Sequence, residues 1–298
     1  MLMKFDVVIT NPPFQDSVKK KKTQHKLWID FTQAAFDKWL KPGGKLAQVS
    51  PSSFLSPSNK ILKILQQKNC VFLRLDTKKH FPTVGSTFAD YLIINEPQCG
   101  VTEITTSNNT FNKVIDDKVF YLPVDICEES LSIHRKVMFD NRDKLDVRYD
   151  YVTCHNVQIH RNDNISKTET AKHVYPILHT NSQVWYSCIR QDWANKKKVM
   201  WSRSGYTKPF YDDGVLGGTD MAYYILVPDK KSGINLTHNL NSSLIKYILK
   251  TAKWSGFGNE KVFCSLPNLP INDKLSDNEI YTLFGLTLNE RQYVEENC

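Results

Sequence analysis

The 298-residue chain contains no apolar run approaching the ~20 residues needed to cross a bilayer, so no helical membrane span is expected. Its N-terminus lacks the unbroken apolar segment of a secretion signal, because Asp6 and Pro12-Pro13 interrupt the stretch. A cytoplasmic setting is therefore expected. Cysteine is sparse and scattered, at Cys70, Cys99, Cys127, Cys154, Cys188, Cys264 and Cys298. No two stand at metal-ligand spacing, and an odd, dispersed set suits a reducing compartment. Cys154-His155 with His160 lacks the remaining ligands at a recognisable spacing, so no metal site is expected. Glycine is also scarce. Gly217-Gly218 and Gly256-Phe257-Gly258 do not lie between an apolar strand and a helix followed by an acidic strand, which argues against a nucleotide-cradling loop at either place. There is no internal repeat and no low-complexity tract.

What is present is ordinary in bulk and basic in balance. Hydrophobic residues make up 41% and charged residues 23%, as in a soluble globular protein with room for two ordinary domains or one large one. The formal net charge of +8 favours a polyanionic partner such as nucleic acid. Two clusters sharpen this. Lys19-Lys20-Lys21-Lys22 follows a proline-rich loop, and Lys196-Lys197-Lys198 lies among Trp193, Trp201, Arg203 and Tyr206. Lys20, Lys21, Lys197, Lys198, Trp201 and Arg203 are the candidate DNA contacts. A solvated surface run explains either cluster equally well.

The most informative local feature is Asn11-Pro12-Pro13-Phe14, which follows the apolar run Phe5–Thr10. A buried strand emptying into this loop is suited to gripping a planar amino group. The Asn11 side-chain oxygen can accept one N–H of an exocyclic amine, and the Pro12 carbonyl the other. Consecutive prolines fix φ and hold that carbonyl in place, and Phe14 offers a face for a base to stack on. The lone pair of an aromatic amine is delocalised into its ring. Two acceptors aimed at its hydrogens favour the tetrahedral nitrogen formed during attack, and alignment with an electrophilic methyl supplies the rest.

Further along, Lys26–Leu40 has an amphipathic helical pattern ended by Lys41-Pro42-Gly43-Gly44. Lys45–Ser50 reads as a strand, Ser58–Lys68 as a helix, and Cys70–Thr77 and Phe88–Asn95 as strands. The alternation predicts a mostly parallel α/β sheet, with ligands beyond the carboxyl ends of its strands. The Asn-Pro-Pro loop, Pro51–Phe54 and Phe81–Ser86 should then converge. After Asn95 the chain turns polar. Leu122–Lys144 contains a linker helix by its pattern, and from about Tyr149 the sequence is rich in Trp, Tyr, Asn and Lys. Ala222–Val227 reads as a strand and Leu240–Lys253 as a helix. The expected organisation is a domain over 1–120, a linker over 121–148 and a second domain over 149–298.

Phe5-Asp6-Val7-Val8-Ile9-Thr10-Asn11-Pro12-Pro13-Phe14 resembles the catalytic segment of the Eco57I- and TaqI-like adenine-N6 DNA methyltransferases that use S-adenosylmethionine (SAM). The resemblance continues in order. Leu27-Trp28-Ile29-Asp30-Phe31 looks like the helix bordering the methionine part of SAM. Leu40–Leu46 to Pro51 is similar to the next turn and strand, and Phe81-Pro82 with Gly85–Ile94 resembles the segment whose aromatic residue sandwiches the flipped adenine. In the second half, Leu216-Gly217-Gly218-Thr219 and Lys253–Phe257 to Leu266-Pro267 resemble the family's target-recognition region.

The resemblance implies a partial Rossmann-like methyltransferase sheet followed by an α+β target-recognition domain. It implies catalysis by Asn11, Pro12, Pro13 and Phe14, adenine stacking by Phe81, SAM contacts from Asp30 and Phe31, and double-stranded DNA as substrate, in a restriction–modification system. The glycine-rich SAM loop and the acidic ribose-binding residue of the family lie upstream of this strand. The expectation is therefore a catalytic-loop half plus a recognition half: a fragment, a split enzyme with a second chain, or a non-catalytic DNA-binding remnant. An exposed sheet edge would favour a partner or self-association. RNA and protein-glutamine methyltransferases share the same loop and remain alternatives. Adenine rather than cytosine rests on the resemblance alone.

Overall fold

The computed structural model describes residues 3–14, 26–57, 59–81, 87–139, 143–156, 163–180, 182–203, 208–252 and 259–298. The chain divides into two compact units, Met1–Ser132 and Ile133–Cys298. The division falls inside the stretch expected as a linker.

The first unit is a six-stranded mixed sheet with helices. Strand β1 (Phe5–Thr10) leads by way of α1 (Leu27–Ala34) and a π turn (Ala35–Trp39) to β2 (Leu40–Pro51). Helix α2 (Lys60–Gln67), β3 (Lys68–Arg74), β4 (Phe88–Pro97), β5 (Thr102–Thr105) and β6 (Thr110–Lys113) follow, in the sheet order β1-β2-β4-β3-β5-β6. Trp28, Thr32 and Ala35 bury one face of α1. Ile61, Leu62 and Leu65 do the same for α2, whose N-terminus is capped by the Asn59 side chain accepting from Ile61 N at 3.0 Å. The α/β class holds, but the expected mostly parallel sheet does not. Only β1–β2 and β3–β5 pair in parallel, whereas β2–β4, β3–β4 and β5–β6 are antiparallel. Apolar strands buried on both faces read alike in either direction. Direction is set instead by the β3–β4 connection, which among its described residues carries a single short turn, Thr77–His80, and no crossover helix.

Lys41-Pro42-Gly43-Gly44 lies inside β2 rather than between elements. Between the pairs Phe5↔Leu40 and Val7↔Lys45, β2 contains three extra residues, so the segment forms a bulge against β1. Gly43 has φ +73°, and a Cβ on Gly44 would stand 2.9 Å from Lys41 O and 3.1 Å from Phe5 O, which explains both glycines. Strand β1 is at the sheet edge. Phe5, Val7 and Ile9, alternate residues of one face, are 47%, 53% and 81% exposed.

Helix α3 (Glu128–His134) and its π turn (Arg135–Phe139) carry the chain across the division. The second unit holds two four-stranded sheets. Their strands are β7 (Arg148–Tyr149), β8 (Ile165–Ser166), β9 (Tyr175–Thr180), β10 (Gln183–Ser187), β11 (Lys197–Ser202), β12 (Phe210–Asp213), β13 (Gly217–Gly218) and β14 (Ala222–Leu226). One sheet runs β13-β9-β10-β8 and the other β12-β11-β14-β7. Helices α4 (Lys230–Leu240), α5 (Ser243–Thr251), α6 (Asn259–Phe263), α7 (Asp277–Leu283) and α8 (Leu288–Asn297) complete it. Helices α7 and α8 start with capping boxes, Ser276 with Glu279 and Thr287 with Glu290. The sequence pattern did not reveal α4, which contains poor helix formers. Its asparagines are held by tertiary bonds: Asn235 donates to Ile271 O at 3.0 Å, and Asn239 to Pro270 O at 2.8 Å.

His134 is fully buried in this unit, with Nε2 2.8 Å from Thr251 Oγ1. That hydroxyl donates to Tyr247 O, so it accepts from the imidazole N–H. Burial pushes the His134 pKa down from 6.5 to about 3. The folded value lies below the unfolded one, so on acidification the unfolded chain takes up the proton first. Stability from this group is complete above about pH 6.5 and falls by about 1.4 kcal/mol per pH unit as pH drops towards 3. Urea unfolding across that window should show this slope, and His134→Gln should remove it.

Candidate active site

Strands β1 and β2 are parallel, and β4 runs against them, so the end of β1, the end of β2 and the start of β4 share one end of the sheet. Asn11 emerges there exposed, Pro12 is buried, Pro13 is exposed and Phe14 is half-buried. The Phe14 ring lies 5.4 Å from that of Phe88, the first residue of β4. Phe81 lies 5.0 Å from the same ring. Phe88 is 2% exposed and pairs in register with Pro51, the last residue of β2. Two half-exposed rings thus rest on one buried ring. Their centroids can be no more than about 10 Å apart, the sum of the two distances. A base held between two rings needs two stacking gaps of about 3.4 Å, roughly 7 Å in all.

Phe88 is the residue that sequence reasoning missed. It read as the start of a strand, and its position opposite Pro51 depends on a register that no local pattern carries. The Pro51–Phe54 segment is fastened to the same place: Ser52 N donates to Thr87 O at 3.1 Å, and the Ser52 and Thr87 hydroxyls are bonded. Of the third loop, residues 82–86 lie outside the described residues.

Behind the loops is a neutral polar layer. Gln48 of β2 donates to Thr32 Oγ1 at 2.7 Å, and Thr32 donates to Trp28 O at 2.8 Å, which ties α1 to the sheet. Tyr91 stands opposite Gln48, and burial pushes its pKa up to about 12, so the layer stays uncharged. Trp28 packs on Phe54, 6.2 Å between rings, which brings the start of α1 to the same sheet end. Asp30 there is exposed, and Phe31 is half-buried with its ring edge-on to Trp39 at 5.8 Å. One carboxylate for an ammonium or hydroxyl group and one accessible ring fit part of a SAM site. Two side chains of this kind make up only a fraction of the contacts so large a cofactor needs.

Residues 1–80 match the family model of the Eco57I restriction-modification methylases. The matched segment ends one residue before Phe81 and includes the whole Asn-Pro-Pro-Phe loop. No curated protein matches the chain. Among solved structures, it is similar to the Type IIL restriction-modification enzyme MmeI in complex with DNA, at 8% identity over 98% of this chain and 56% of that one, TM-score 0.47. It is similar to the EcoKI M protein of a Type I restriction enzyme at 19% identity over 46% of this chain and 31% of that one, TM-score 0.29. A putative class I SAM-dependent methyltransferase from Listeria monocytogenes matches at 13% identity over 37% of this chain and 38% of that one, TM-score 0.29. The chain spans between 24% and 56% of the length of the first solved structures it matches.

The expected DNA contacts fare unequally. Lys20 and Lys21 lie outside the described residues. Lys197 is exposed on β11, and Arg203 is half-buried with its Nε unpartnered. Lys198 is not a surface residue: its side chain is fully buried. Its ammonium donates to Ala194 O at 2.7 Å, Lys196 O at 2.9 Å and Asp212 Oδ2 at 2.7 Å, which uses all three protons. Asp212 also accepts from the backbone of Gly214, Val215 and Leu216. Trp201 is likewise buried, 5.7 Å from the Phe263 ring and stacked at 6.2 Å on Tyr223. The expectation for these two residues is corrected. Strand β11 is covered on both faces after Lys197, so adjacent lysines face opposite fates.

Lys198→Met should strand the Asp212 carboxylate and cost about 3–5 kcal/mol in urea unfolding. Lys197→Met should change stability by no more than about 0.5 kcal/mol.

Proposed function

We propose that this chain carries the catalytic loop and the recognition region of an adenine-N6 DNA methyltransferase of a restriction–modification system, acting in the cytoplasm. One observation carries the reading. The strand that delivers Asn11 ends where two accessible rings, Phe14 and Phe81, share the buried floor of Phe88. The family match over residues 1–80 supports it independently.

In this reading the target adenine leaves the duplex stack at a cost of a few kcal/mol. Phe14 and Phe81 take its two faces and replace part of the lost stacking. Asn11 Oδ1 and the Pro12 carbonyl accept the two N6 hydrogens and draw the nitrogen towards tetrahedral geometry, exposing its lone pair. Pro13 keeps the Pro12 carbonyl on target by restricting the preceding ψ. SAM, when bound, supplies the electrophilic methyl, with Asp30 and Phe31 holding one end of it. Formation of the N–C bond would break the methyl–sulfonium bond and leave the cofactor as a neutral thioether, and the surplus N6 proton would pass to water, to which Asn11 is exposed. No strong base is needed, because the nitrogen becomes acidic once alkylated. The second unit selects the DNA sequence, and Lys197 and Arg203 contribute phosphate contacts. The bare face of β1 at Phe5, Val7 and Ile9 receives a further strand-bearing segment, from a second chain or a second copy.

Transfer of labelled methyl from SAM to mixed-sequence duplex DNA tests this, with the partner segment supplied if the chain alone is inert. Asn11→Ala should lower transfer by about 10²–10³-fold, the loss seen when one preorganised polar group is removed, and should leave DNA affinity in place. Loss of DNA binding together with activity would contradict the assigned role.

A further inference from the structure

The second unit contains a cavity of about 320 Å3 whose lining includes Tyr175, Ile177, Ile189, Arg190, Val215 and Gly217. Its volume is at the lower end of small-ligand sites. Tyr175, Ile189 and Val215 leave it an exposed apolar rim, with Val215 63% exposed. Arg190 stands at this rim, exposed, and no described residue accepts from its guanidinium. Two other arginines of the unit are engaged: Arg148 pairs with Asp146 at 2.5 Å, and Arg291 donates to Leu286 O at 3.1 Å.

The backbone presenting Arg190 is fixed. Its neighbour Gln191 donates to Asp150 Oδ2 at 2.8 Å and to Gly218 O at 2.9 Å, and accepts from Gly218 N at 2.7 Å. The facing wall approaches so closely that a Cβ on Gly217 would collide with Gln191 Oε1. Gly214 has φ +86°, and a Cβ there would lie 2.6 Å from Asn195 O. A cation with no partner among the described residues, on a rigid platform inside an apolar rim, is poorly suited to a phosphate, which favours several cations and a wet surface. Asp192, two residues on, is exposed and adds repulsion. The arrangement suits a flat, neutral partner that offers two adjacent acceptors.

We infer that Arg190 is a sequence-reading side chain that takes the O6/N7 edge of a guanine in duplex DNA, with Ile189 and Val215 against the neighbouring base. A guanidinium fork matches those two acceptors, and a bidentate contact of this kind discriminates between bases. The inference rests on the reading of this chain as a DNA-modifying protein.

The test is selection of duplexes with a randomised core by the full chain, wild type against Arg190→Ala and Arg190→Lys. The wild type should enrich a motif containing a G·C pair. Arg190→Ala should lose the preference at that one position by about 5- to 150-fold, as expected for a lost bidentate contact, keep the rest of the motif, and change the salt dependence little. Arg190→Lys should keep a weakened preference. If Arg190→Ala enriches the same motif as the wild type, or weakens binding equally for all sequences, the inference is overturned and the methyltransferase reading stands. If the wild type binds DNA with no preference, this inference falls while DNA binding survives. If it binds no duplex at all, both fall.

Discussion

The buried ring of Phe88 is the contact on which the candidate site depends. It begins β4, pairs in register with the last residue of β2, and is in ring contact with both Phe14 and Phe81. Without it Phe14 of the Asn-Pro-Pro loop and Phe81 before β4 would have no common support. Aromatic pairs at 5.0 and 5.4 Å are within favourable range. The geometry also requires the β1–β2 register. The bulge at Lys41–Gly44 lets β2 continue past β1 in parallel, so that Asn11 and Pro51 arrive at the same sheet end.

Much of this was legible in the residues. The run Phe5–Thr10 is strand β1 to the residue, because a short apolar segment stopped by two prolines leaves little freedom. The α2 helix and β4 were also visible, through their periodicity and an unbroken apolar run. Sheet direction was not, because buried parallel and antiparallel strands have the same composition. Helix α4 was hidden for a different reason. Its asparagines oppose helix formation locally and are recruited by the loop at 270–275, a tertiary effect.

The lysine cluster shows the limit of reading charge along a chain. Three consecutive lysines look like one patch, yet Lys197 faces water and Lys198 is the buried partner of Asp212 on the adjacent strand. That pair, with Asp212 also capping the Gly214–Leu216 backbone, positions the turn that forms one wall of the Arg190 cavity. Trp201 and Tyr223 face each other across β11 and β14 and continue to Tyr149 on β7, so the aromatic wealth of the second unit is largely core.

The most direct measurement of the central claim is the fluorescence of 2-aminopurine placed at successive adenine positions in duplexes that the chain selects. If Phe14 and Phe81 take a flipped base over the Phe88 floor, one position should brighten on binding as the base leaves the DNA stack. Phe81→Ala should brighten it further, because a quenching ring is lost. Unchanged emission at every position in a bound duplex would contradict a base-flipping site at this end of the sheet.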